Sequence, residues 1–64
     1  MDKWYVFGCL MCICYNGTKQ DRETAYLLEA RYAPNNTKQS VRTAYWQGRT
    51  DMAVMMSLRR RKHV

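Results

Sequence analysis

Apolar positions along the chain form one uninterrupted block, an alternating middle and a mixed tail. From Trp4 to Tyr15 the residues are apolar on both alternate faces, and the Val, Phe, Tyr and Ile content predicts a strand covered on both sides. Asn16-Gly17 supplies the turn that closes it. A buried helix is the rival, and Gly8 counts against it.

The segment from Thr18 to Ala33 supports two readings. Thr18 with Asp21 resembles a capping box, the interior is rich in Ala, Leu, Glu and Arg, and Pro34 would end a helix. Against this, a hairpin centred on Asn35-Asn36 sets Glu29 opposite Arg42, Ala30 opposite Val41 and Tyr26 opposite Tyr45. In that register Tyr26, Leu28, Ala30 and Tyr32 share one face with Val41, Thr43 and Tyr45, while Arg42, Trp46, Glu29 and Arg31 take the other. The hairpin is preferred. A last element, a helix from Asp51 to Lys62 capped by Thr50, places its acid and its Arg59 to Lys62 run to suit the helix dipole. Its Met52, Ala53, Val54, Met55, Met56 and Leu58 must lie on the sheet or on a partner chain. The predicted fold is α+β: a small three-stranded antiparallel sheet with one C-terminal helix. The alternative is β-α-β-α with residues 19–33 helical.

Size and composition narrow this picture. The chain has 64 residues, 47% apolar and 12% aromatic, a single small domain with too much apolar content for a disordered segment. A core of that size rarely supplies more than roughly 3–5 kcal/mol, so a homodimer, a metal or a larger partner could supply part of the remaining stability. The Trp4 to Tyr15 block is too short to cross a bilayer. Lys3 before that block, and Val6-Phe7-Gly8-Cys9, faintly suggest a lipoprotein signal, but few apolar residues precede Cys9 and Asp2 cancels Lys3. A cytoplasmic protein without membrane attachment is expected.

Candidate chemistry is sparse. Cys9-x-x-Cys12 has zinc-knuckle spacing, with Cys14 and His63 able to complete a four-ligand metal set. Leu10, Met11 and Ile13 continue a strand where a knuckle needs a turn, so the thiols read as reduced, small core side chains. A Cys nucleophile paired with the penultimate His63 is weaker still. Asp21 and Glu23 have no basis for unequal acidities, and Gly8, Gly17 and Gly48 begin no phosphate-binding loop. Neither an enzyme nor a cofactor is expected.

Charge is the more informative signal. Eleven Lys and Arg face five acids, a net +6, and after Glu29 the only acid is Asp51. Arg31, Lys38, Arg42, Arg49, Arg59, Arg60, Arg61 and Lys62, with Trp46 among them, are the candidate binding residues for nucleic acid, by phosphate contact and base stacking. A basic tail that merely solubilises a Met-rich protein is the plainer reading of the same charges. Two functions follow: a small basic nucleic-acid-binding regulatory protein, or a compact modulator or inhibitor, of the phage or plasmid kind, that blocks a larger protein with an acidic surface through its basic, Met-rich C-terminal half.

Overall fold

The computed structural model describes residues 2–33 and 38–62. Three helices account for them: α1 Lys3–Tyr15, α2 Lys19–Tyr32 and α3 Gln39–Lys62. No strand occurs among the described residues, so the α+β fold and its three-stranded sheet are overturned. Of the alternative β-α-β-α order, both helical stretches stand, 19–33 as α2 ending at Tyr32 and 51–62 as the second half of α3, while both strands are overturned. The Asn35-Asn36 turn of the expected hairpin lies outside the described residues.

The first correction has a direct physical cause. A strand covered on both faces needs neighbours on both edges for its N–H and C=O groups, whereas a helix satisfies them internally. Once residues 19–32 coil, α1 has no strand to pair with. Its start is set by Asp2, whose Oδ1 accepts the Trp4 N–H at 2.8 Å. Its end is set by Asn16, whose N–H returns to the Cys12 and Ile13 carbonyls and whose Nδ2 donates to the Cys12 carbonyl at 2.8 Å.

In α2 the capping box is reciprocal: Thr18 Oγ1 accepts the Asp21 N–H at 3.2 Å, and Asp21 Oδ2 accepts the Thr18 N–H at 3.1 Å. That local preference defeats the cross-strand pairs of Glu29 with Arg42, Ala30 with Val41 and Tyr26 with Tyr45. The third correction concerns α3, which begins at Gln39 rather than Asp51. Thr50 and Asp51 are interior residues of it, so neither caps nor complements a helix end.

Helix α1 is central. Asp2 and Tyr5 lie along Gln39 to Gln47, and Cys12 and Asn16 along Trp46 to Leu58, so α1 and α3 run in the same direction. Helix α2 returns antiparallel and brings Tyr32 to Lys3, Trp4 and Phe7. No Cα of α2 comes within 8 Å of one in α3 among the described residues. The Cα envelope measures 41 × 25 × 15 Å.

Glycines make the α1–α3 crossing possible. A Cβ on Gly8 would fall on the Tyr45 carbonyl oxygen and 3.0 Å from the Arg49 nitrogen, and one on Gly48 would fall on the Tyr5 carbonyl oxygen and 3.2 Å from the Cys9 nitrogen. The two helices thus touch backbone to backbone, each through its own glycine. Beside the crossing, Met11, Ala25 and Tyr45 are buried together with Phe7, Cys14, Tyr15, Leu28 and Ala33 packed around them. Tyr45 stacks at 5.5 Å between ring centroids on Phe7. The three tyrosines expected on one face are therefore separated: Tyr45 is buried, while Tyr26 and Tyr32 are exposed.

Candidate nucleic-acid interface

Helix boundaries sort the charges. With its Asp2 cap, α1 balances Lys3 against one acid, and α2 balances Lys19, Arg22 and Arg31 against Asp21, Glu23 and Glu29. The whole surplus falls on Lys38 and α3.

Within α3, residues 42, 46 and 49 lie four and three apart and so share one face. Trp46 is 53% exposed there, and Arg42 is exposed one turn before it. Trp46 and Thr50 form the common wall of two shallow grooves. One, about 520 Å³, is lined by Gln39, Arg42, Thr43 and Gln47 as well. The other, about 630 Å³, lies between the end of α1 and the second half of α3, with Cys12, Asn16, Arg49, Ala53, Val54, Ser57 and Leu58. Among the described residues no carboxylate lines either groove.

Arg49 behaves differently from Arg42. Its NH1 donates to Glu29 Oε2 at 2.8 Å, and its guanidinium lies 4.7 Å from the Tyr15 ring and 5.1 Å from the Trp46 ring. Glu29 also accepts the Tyr15 hydroxyl at 2.9 Å and the Tyr45 hydroxyl. One carboxylate from α2 thereby gathers two tyrosines and the arginine that braces Trp46. Burial, then the bond to Glu29, pushes the Tyr45 and Tyr15 hydroxyls up from their ordinary acidity.

Asp51, the one acid of α3, is occupied on another side of the helix. Its Oδ2 accepts the Tyr5 hydroxyl at 2.5 Å and its Oδ1 the Gln47 amide at 2.7 Å. The Tyr5 bond, then Gln47, holds the Asp51 carboxyl below its usual value, and the same bond pushes Tyr5 up to about 12. Stability from Asp51 is therefore present above the ordinary aspartate pKa and lost as pH falls. Stability from Tyr5 is present below about 10 and lost between about 10 and 12. Tyr5→Phe should soften both flanks of a plot of urea midpoint against pH. The alkaline loss carried by Tyr15 and Tyr45 remains in that variant. A variant whose plot superimposes on the original would show that the Tyr5–Asp51 bond contributes nothing.

The remaining candidates are placed as follows. Arg31 is exposed on α2, Lys38 immediately precedes α3 and is exposed, and Arg59 is exposed on α3. Arg60, Arg61 and Lys62 belong to the last turn of α3. Arg42, Trp46 and Arg49 are brought together on one face, and Arg31 stands apart on another helix. Sequence reading missed Gln39, Thr43, Gln47 and Thr50, whose amides and hydroxyls line the groove beside Trp46. Their spacing of three to four was visible, but only a helical reading of the segment gives it meaning.

The three thiols are free. Cys12 is buried and lies beside Arg49 and Ala53 of α3, and Cys9 Sγ donates to the Gly48 carbonyl at 3.4 Å, so both turn toward α3. Burial pushes the Cys9 thiol up. No group of three or more metal-ligating side chains occurs among the described residues, and His63 lies outside them. No helix among the described residues is long and apolar enough to cross a membrane. Comparison with protein-family models, curated proteins and solved structures found no match.

Proposed function

We propose that this chain is a small nucleic-acid-binding protein that takes a strand along the Trp46 side of α3, acting by binding and not by catalysis. The observation that carries the reading is a half-exposed tryptophan standing between two grooves that no carboxylate lines among the described residues, on the helix that holds the charge surplus. Lys38, Arg42, Arg59 and the run that follows would contact phosphates, and Trp46 would stack a base. The Thr43 and Thr50 hydroxyls would add neutral contacts to the backbone. Arg49 is assigned a positioning role, because its guanidinium is already committed to Glu29 and to the two rings.

Titration of the protein with short single-stranded and duplex oligonucleotides tests this. Tryptophan fluorescence should be quenched on binding at low salt, with log K falling against log salt by several units. Trp46→Ala should weaken single-strand binding about 5- to 100-fold, and Arg42→Ala should reduce the salt slope by about one. Absence of binding at low salt removes the proposal.

A second reading is favoured by a different observation. Val54, Met55 and Leu58 are half-exposed on α3 just ahead of Arg59, which suits an apolar helix face seated in the acid-rimmed groove of a larger protein. Under that reading one stoichiometric partner is captured from a nuclease-treated lysate. Charge reversal at Arg59 to Arg61 then slows its association more than its dissociation.

A further inference from the structure

Helix α1 is apolar around its whole circumference; Lys3 is its only charged residue. Tyr5, Gly8, Cys9 and Cys12 face α3, and Phe7, Met11, Cys14 and Tyr15 face α2 and the core. The third face carries Val6, Leu10 and Ile13, which are 36%, 51% and 45% exposed. A helix apolar on every side is ordinarily enclosed on every side. Here one of the three sides is bare.

We infer that this stripe is where two copies of the chain meet, their α1 helices antiparallel about a two-fold axis at Leu10. Val6 lies four residues before Leu10 and Ile13 three after it, so the stripe is close to its own mirror in sequence. An antiparallel pair sets Leu10 on Leu10 and each Val6 against the other copy's Ile13, the self-complementarity that a two-fold contact requires. Charge points to the same occupant. Val6, Leu10 and Ile13 offer no ionic or hydrogen-bonding group to a polar or charged partner; Lys3, three residues before Val6 on the same face, is the one charge beside them, and the antiparallel pairing sets the two copies' Lys3 at opposite ends, so this face meets its copy without direct repulsion. A pairing through α3 would instead confront two strongly basic helices.

Three side chains per copy cover far less than the roughly 800 Å² per partner of a stable interface. The dimer is accordingly weak and concentration-dependent. Each copy carries +6, so residual long-range repulsion makes it tighten as salt rises. Nucleic-acid binding moves the opposite way with salt, which keeps the two ideas separately testable.

Sedimentation equilibrium over a concentration series, at low and high salt, provides the test. The mean mass should climb from 7.7 kDa toward twice that value with concentration, and further at high salt. Leu10→Glu and Leu10→Lys should each remain monomeric with unchanged helical circular dichroism, and an equimolar mixture of the two should restore the dimer. If Leu10→Glu loses helicity, Ile13→Ser carries the test on the same stripe, with an expected shift toward monomer. A parent protein that stays monomeric throughout overturns the inference and leaves the stripe to a foreign partner. Stripe variants that dimerise like the parent overturn it equally.

Discussion

Tyr45→Ala is expected to leave the protein predominantly unfolded at 25 °C, seen as loss of helical circular dichroism without denaturant. Tyr45 is the largest fully buried side chain described, and its ring joins Phe7 of α1 while its hydroxyl reaches Glu29 of α2. Truncating a buried aromatic costs about 3–5 kcal/mol, as much as a core in a domain this small usually supplies. Helices α2 and α3 have no backbone approach to compensate, because they meet through side chains such as this one. Tyr45→Phe separates the two contributions. It keeps the ring and removes one of three donors to Glu29, so a loss of about 1 kcal/mol is expected. Full stability in Tyr45→Ala would mean that the three helices are held elsewhere.

Gly8→Ala and Gly48→Ala should each lower the melting temperature, although alanine favours an isolated helix over glycine by about 1 kcal/mol. The added methyl meets a backbone carbonyl of the facing helix in both cases, and a carbonyl inside a helix has no rotamer to swing aside. The helices must separate, at a cost of about 1–3 kcal/mol typical of overpacking, and the Cys9 to Gly48 contact is lost with them. For a domain of this size 1 kcal/mol corresponds to roughly 4–8 °C. Ser57→Ala, on an exposed turn of the same helix, serves as the control and should be neutral or slightly stabilising. An increase in melting temperature for either glycine variant would show that propensity outweighs the crossing.

The glycines also explain most of what the sequence concealed. Gly8 read as evidence against a helix from Trp4 to Tyr15, and Gly48 lies inside α3, ahead of the start expected at Asp51. Each is unfavourable for its own helix and is retained where the other helix's backbone passes. Length was the signal that should have prevailed for α1, since an unbroken apolar run of twelve residues exceeds an ordinary strand. Val41, Thr43, Tyr45 and Trp46 are strand-prone residues, yet they sit in α3 because Tyr45 has a core to fill there. The alternating face imagined for Tyr26, Tyr32 and Tyr45 dissolved for the same reason.

The candidate interface was partly legible. Arg42, Trp46 and Arg49 were identified from charge and aromatic proximity, and either period places Arg42 and Trp46 on a common side. The commitment of Arg49 to Glu29, twenty residues away on another helix and outside any local rule, was not. Its consequence is that the arginine next to the exposed ring supports the ring and offers less to a phosphate than its neighbours do.

From composition and local chemistry alone came the location of the positive charge, the capping box that starts α2, the Asn16-Gly17 ending of the first element and the absence of a bilayer-length apolar run. Those are properties of near neighbours in the chain, and short-range interactions specify them. The helical state of α1, the early start of α3 and the Glu29 cluster were decided by contacts between residues many positions apart. A glycine's value at a crossing, or an arginine's partner on another helix, exists only when the second backbone is in place, and no window along one chain contains it.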